Sequence, residues 1–100
     1  MHNKVIKTFK NMIIDIIIYR DGFELRNIYN QPIFVAAGEK TPDERKTLNT
    51  GESAMFNCKG FKKINLEIRT LDNIPLDRLT IKLDNPKKIN ELLKLKRKDN

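Results

Sequence analysis

Apolar and polar positions alternate with a period of two over much of this chain, the pattern of strands covered on one face. Met12 to Tyr19 is nearly continuous and rich in isoleucine, which predicts a strand buried on both faces. Asp21-Gly22 follows, and Phe23 and Leu25 then alternate with Glu24 and Arg26. Asp-Gly between two apolar runs is the signature of a hairpin whose two central residues take positive φ. Asn30-Gln31-Pro32 interrupts the pattern, and Ile33 to Ala37 reads as a third strand. Ala54, Phe56 and Cys58 share one face of a fourth, and Lys59-Gly60 marks a turn. Ile64, Leu66 and Ile68 define a fifth strand, and Leu79, Ile81 and Leu83 a sixth. Pro75, between these two, marks a strand edge or a loop.

Three segments read differently. Val5, Phe9, Met12, Ile13, Ile16 and Ile17 also fall on one helical stripe, so a helix from about 4 to 18 is the alternative for the N-terminal part. Thr41-Pro42-Asp43-Glu44 has the form of a capping box with proline in the first helical position, and predicts a single helical turn that Gly51 closes. Asn85, Pro86 and the spacing of Ile89, Leu92 and Leu93 predict a C-terminal helix. The stretch Leu48-Asn-Thr-Gly-Glu-Ser53, leading into an apolar strand, resembles the corners of immunoglobulin-like sandwiches. The expected fold is mainly β: a small antiparallel β-sandwich or barrel of about six strands with a short C-terminal helix, or, with the N-terminal helix, an α+β domain.

One hundred residues make one domain. Hydrophobic content is low at 39% and charged content high at 33%. The excess of Ile, Lys and Asn is also what an A/T-rich coding sequence produces. The formal net charge of +7 is unevenly spread: residues 12–86 hold as many acidic as basic groups, and the surplus lies in residues 1–11 and 87–100. The chain divides accordingly into a basic N-terminal extension (1–11), a β domain (12–84), and a C-terminal helix with a basic tail (85–100). Asp15 interrupts the first apolar run and no small-residue cleavage site follows, so a signal peptide is not expected. No segment approaches the length of a membrane span. With a single cysteine, Cys58, the composition fits an intracellular, cytoplasmic protein.

Candidate chemistry is sparse. His2 is the only histidine, at the start of the chain with no partner nearby, and Cys58 lies on an apolar strand face. Neither points to a nucleophile, general base or metal ligand. Asp15 either is a buried acid with a shifted pKa, or faces solvent or pairs with a nearby Arg or Lys. Gly22, Gly38, Gly51 and Gly60 are isolated and form no phosphate-cradling loop. No enzyme, cofactor or metal is expected.

Binding remains. Lys4, Lys7 and Lys10 at one end, with Lys94, Lys96, Arg97 and Lys98 at the other, form one basic patch if the ends are neighbours. Ile89, Leu92 and Leu93 offer an apolar helix face to a partner or to the chain's own sheet. The expectation is a non-enzymatic interaction module that binds a protein partner, or itself, through an edge strand or the terminal helix. The alternative is a nucleic-acid-associated protein whose basic ends contact phosphate. Phe23, Phe34 and Phe56 fall on apolar alternations and are expected in the core, which speaks against an aromatic platform for RNA.

Overall fold

The computed structural model describes residues 4–83. Those residues form eight strands and no helix: β1 (Lys7–Lys10), β2 (Ile14–Ile18), β3 (Gly22–Asn27), β4 (Ile33–Gly38), β5 (Glu44–Leu48), β6 (Ser53–Asn57), β7 (Lys63–Thr70) and β8 (Pro75–Lys82). They make two antiparallel sheets, in the orders β1-β2-β3-β6 and β5-β4-β7-β8. The sheets are separate ladders joined by one apolar core, a sandwich-like arrangement and not a closed barrel. The helix expected from residue 85 lies outside the described residues.

The core follows from the period-two pattern. Ile14, Ile16, Ile18, Phe23 and Leu25 of one sheet meet Ile33, Val35, Ile64, Leu66 and Ile68 of the other, all at most 1% exposed. Burying each such side chain stabilises the fold by about 1.5–3 kcal/mol. Phe23 and Phe56, paired across β3 and β6, stack with ring centroids 5.0 Å apart and an interplanar angle of 6°.

The hairpin expected after the first apolar run is present as β2–β3, with Ile18 opposite Phe23. Its turn differs from the expected one. The Tyr19 N–H donates to the Gly22 carbonyl at 2.8 Å, so Arg20 and Asp21 are the central residues, and neither they nor Gly22 has positive φ. Gly22 is needed for another reason: a Cβ there would stand 2.7 Å from the backbone oxygen of Phe56 on β6.

Four other expectations are corrected. The N-terminal helix is absent, because residues 7–10 and 14–18 pair as β1 and β2. Six strands become eight, since β1 and β5 carry too few apolar residues to stand out. Only one face of β2 is fully buried, with Asp15 and Ile17 on the half-covered outer side. The helical turn at Thr41–Glu44 is replaced by a loop and β5, which pairs with β4 from Glu44 to Leu48. Gly51, at φ 83°, instead serves the turn from β5 to β6, where the Glu52 N–H donates to the Asn49 carbonyl at 2.9 Å. That turn passes from one sheet to the other. Pro75 opens β8, an edge strand, where its missing N–H is tolerated.

Candidate functional site

Three features of the surface emerge from this topology: an apolar end, guarded edges and two outer faces of unequal charge. The connections β1–β2 (11–13), β3–β4 (28–32), β5–β6 (49–52) and β7–β8 (71–74) lie at one end of the sheets. Met12 is 89% exposed there, Leu71 and Ile74 57% each, and Ile28 36%. These four connections contain no lysine or arginine, and their charged residues are Glu52 and Asp72.

Polar groups fold the loops so that these apolar side chains are left outside. Asn27 is fully buried, and its Nδ2 donates to the Gln31 and Leu48 carbonyls, both at 3.0 Å. Its Oδ1 accepts from the Tyr29 N–H at 2.8 Å. Its backbone accepts from Gly51 and donates to Glu52. One side chain thus ties three strands' ends together. Asn11 does the same for the β1–β2 turn: Oδ1 accepts from the Ile13 and Ile14 N–H groups at 2.8 Å, and Nδ2 donates to Asp77 Oδ2 on β8 at 3.2 Å. The Ile28 N–H donates to the Ile13 carbonyl at 2.9 Å. At the β7–β8 turn, Thr70 Oγ1 accepts from the Ile74 N–H at 3.1 Å, and Asn73 takes φ 69°.

Both ends of the described chain lie at the opposite end of the sheets. Lys7 Nζ donates to the Lys82 carbonyl at 2.9 Å, so the entering and leaving segments are neighbours. Lys7 and Lys10 do not form a stripe with Lys4. They sit on opposite faces of β1, since Lys7 pairs with core residue Ile18 while Lys10 pairs with outward Asp15, and Lys4 precedes the strand. Lys94, Lys96, Arg97 and Lys98, and the apolar set Ile89, Leu92 and Leu93, lie outside the described residues.

Three of the four edge strands turn a charge inward. Lys7 on β1, Glu44 and Lys46 on β5, and Asp77 on β8 all take core-facing register positions. Lys46 Nζ lies 5.5 Å from the centroid of the Phe56 ring. Inward charges on edge strands discourage pairing with another chain.

The two outer faces differ in a way the balanced charge of residues 12–86 conceals. On the β1-β2-β3-β6 sheet, Lys10 and Arg26 flank Asp15 in one cross-strand row, and Glu24 lies in the next. Two cations meet two acids. Asp15 therefore stands between basic neighbours on an outer face. On the other sheet, the outward strand positions hold Arg45, Lys63, Arg69, Arg78 and Lys82 against Glu67, with the Asp43 carboxylate beside outward Gly38 at the edge of the face. Phe34 sits on this face in the strand row next to the loop end, opposite Thr47 and Arg69, and not in the core as expected. Glu67 accepts from Arg78 Nη2 at 2.6 Å and Arg69 Nε at 3.2 Å. These two hydrogen bonds, Arg78 first, hold its carboxyl below the usual glutamate value. An open depression beside them is lined by Glu67, Arg69, Pro75, Leu76, Asp77 and Arg78.

Cys58 is 2% exposed, with Sγ 3.8 Å from the Tyr19 carbonyl. Burial, and then the charge of Asp21, push its thiol up, away from the reactive thiolate. His2 lies outside the described residues. Among the described residues there is no group of three or more His, Cys, Asp and Glu side chains that could hold a metal, and no helix long and apolar enough to cross a membrane. Comparison with protein-family models, curated proteins and solved structures finds no match for this chain.

Proposed function

We propose that this domain is a non-enzymatic interaction module, a β-sandwich that docks a protein partner through its apolar loop end. One observation carries the proposal: Met12, Ile28, Leu71 and Ile74 are the exposed apolar residues of a single end, in loops without a basic residue. Exposed apolar side chains concentrated at one end of a small domain suit an interaction site. The edge strands are the weaker route, because three of the four carry inward charges.

The strand order supports the sandwich and the choice of end. The set β2-β3-β6 corresponds to strands A-B-E of an immunoglobulin-like domain, and β5-β4-β7-β8 to C′-C-F-G. In that correspondence the apolar end carries the B–C and F–G loops, which variable domains use to bind antigen. This support is an analogy of fold. The rigid Asn27 and Asn11 networks beneath the loops supply the preorganisation that a binding surface needs.

The test is a paired substitution, Met12→Ser with Ile74→Ser. Exposed positions of this kind change stability by about 0.5 kcal/mol or less. Partner capture from the native host should fall by tenfold or more, since each lost apolar contact contributes about 1–2 kcal/mol at a desolvated interface. Sedimentation across a concentration series shows whether the partner is a second copy. Undiminished capture by the folded double variant contradicts the proposal.

A further inference from the structure

An abundance of lysine does not by itself determine where the cations of this chain stand. Lys63 and Lys82 are directly opposite one another on β7 and β8, both exposed on the outer face. Like charges in that position destabilise a sheet. Lys7 Nζ donates to the Lys82 carbonyl at 2.9 Å, on the β8 strand that carries one of this pair. Arginine is the minority cation, six of the 20 basic residues, yet three of the six stand on this face as Arg45, Arg69 and Arg78. Glu67 fixes two of the guanidinium planes. Planar arginine forks match phosphate oxygens two at a time, as lysine does not. Phe34, outward and half-buried, lies among them.

We propose that the outer face of the β5-β4-β7-β8 sheet binds single-stranded nucleic acid. Phosphates lie along Arg45, Arg69 and Arg78 and at the Lys63–Lys82 pair, and one unpaired base stacks on Phe34. A cationic sheet face with an aromatic side chain is how single strands are held without strong sequence preference. From Lys63 to Arg69 the face runs about 20 Å at roughly 3.3 Å per residue, which accommodates several phosphates of an extended strand. The anionic partner meets no comparable surface on the opposite sheet, where Asp15 and Glu24 cancel Lys10 and Arg26. This surface borders the apolar loop end, where Arg69 Nη1 donates to the Asn73 carbonyl at 3.4 Å, but nucleic-acid binding by the sheet face does not rest on docking at that end.

The experiment is fluorescence anisotropy of the whole chain with a labelled oligouridylate of about 12 nucleotides, beginning at about 50 mM salt. Arg45 and Lys63 make no ion pair with a described residue, so their replacement leaves the fold intact. Arg45→Gln with Lys63→Gln should weaken binding at least tenfold. Lys10→Gln with Arg26→Gln, which removes the same charge from the other face, should weaken it less than about threefold. Phe34→Leu should cost about five- to tenfold without changing the salt slope, because stacking is not a charge effect. Met12→Ser with Ile74→Ser should bind as wild type does. Equal losses from both charge variants would overturn the proposal, as would an unaffected Phe34→Leu, a preference for duplex, loss of binding in the loop variant, or no binding at this salt.

Discussion

Asn27 Nδ2 reaches across the core to donate to the Leu48 carbonyl at 3.0 Å, joining the end of β3 to the end of β5 in the other sheet. Neither residue belongs to the exposed surface, yet their bond shapes it. It fixes where the β3–β4 and β5–β6 loops begin, and so where Ile28 and its apolar neighbours emerge. The first prediction is that Asn27→Leu destabilises the domain by about 2–3 kcal/mol, the cost of leaving buried backbone groups unpaired. Urea unfolding measures it. A cost under about 0.5 kcal/mol, typical of an unremarkable surface site, would mean that the network does not hold the loops.

Gly22→Ala should destabilise by about 1–3 kcal/mol, because the added methyl meets the Phe56 backbone oxygen on a paired strand that cannot withdraw. Where space allows, replacing glycine by alanine in a compatible conformation stabilises by about 0.4–1 kcal/mol. The two expectations have opposite signs. A rise in the denaturation midpoint would show that β3 and β6 are not packed this closely.

The strands with strong alternation were legible from the sequence pattern alone. Ile14, Ile16, Ile18, Ile64, Leu66 and Ile68 announce their buried face by period and residue type. β1 and β5 were not legible, because an edge strand is stabilised by its one neighbour and by the stems of amphipathic side chains. Lys46 covers Phe56 where a sequence pattern looks for an apolar residue. Thr41-Pro42-Asp43-Glu44 has a helix start but too few following residues to outweigh the β4 ladder. Phe34 was misplaced because its apolar neighbours hid the fact that alternate positions of β4 face opposite ways, Ile33, Val35 and Ala37 inward. The charge difference between the faces, and the gathering of Met12 with Ile74, depend on strand register and on which loops share an end. No local pattern reports either one.

The Glu67 network makes a pH prediction. Its folded-state pKa is held below the ordinary 4.5 by Arg78 and Arg69, so its contribution to stability is complete above that value. It is lost as pH falls through the lower folded-state value. Wild type should therefore be more stable than Glu67→Gln at neutral pH, with the difference closing in acid. Because Arg78 is largely open to solvent and Glu67 and Arg69 are partly so, added salt should also narrow the gap. Urea midpoints of the two proteins from pH 7 downward give the comparison. A gap that is constant with pH would assign the effect to packing instead of charge.

The most direct measurement of the central claim places a photo-crosslinking phenylalanine derivative at Met12 or Ile74 in the apolar loop end, and at Met55 for comparison. Met55 is apolar and 53% exposed, and stands on the outer face of the β1-β2-β3-β6 sheet. Irradiation in extract of the native host should give the same discrete protein adduct from positions 12 and 74, and none from position 55. Adducts of equal yield from all three positions, or from position 55 alone, would contradict the assignment of the loop end as the docking surface.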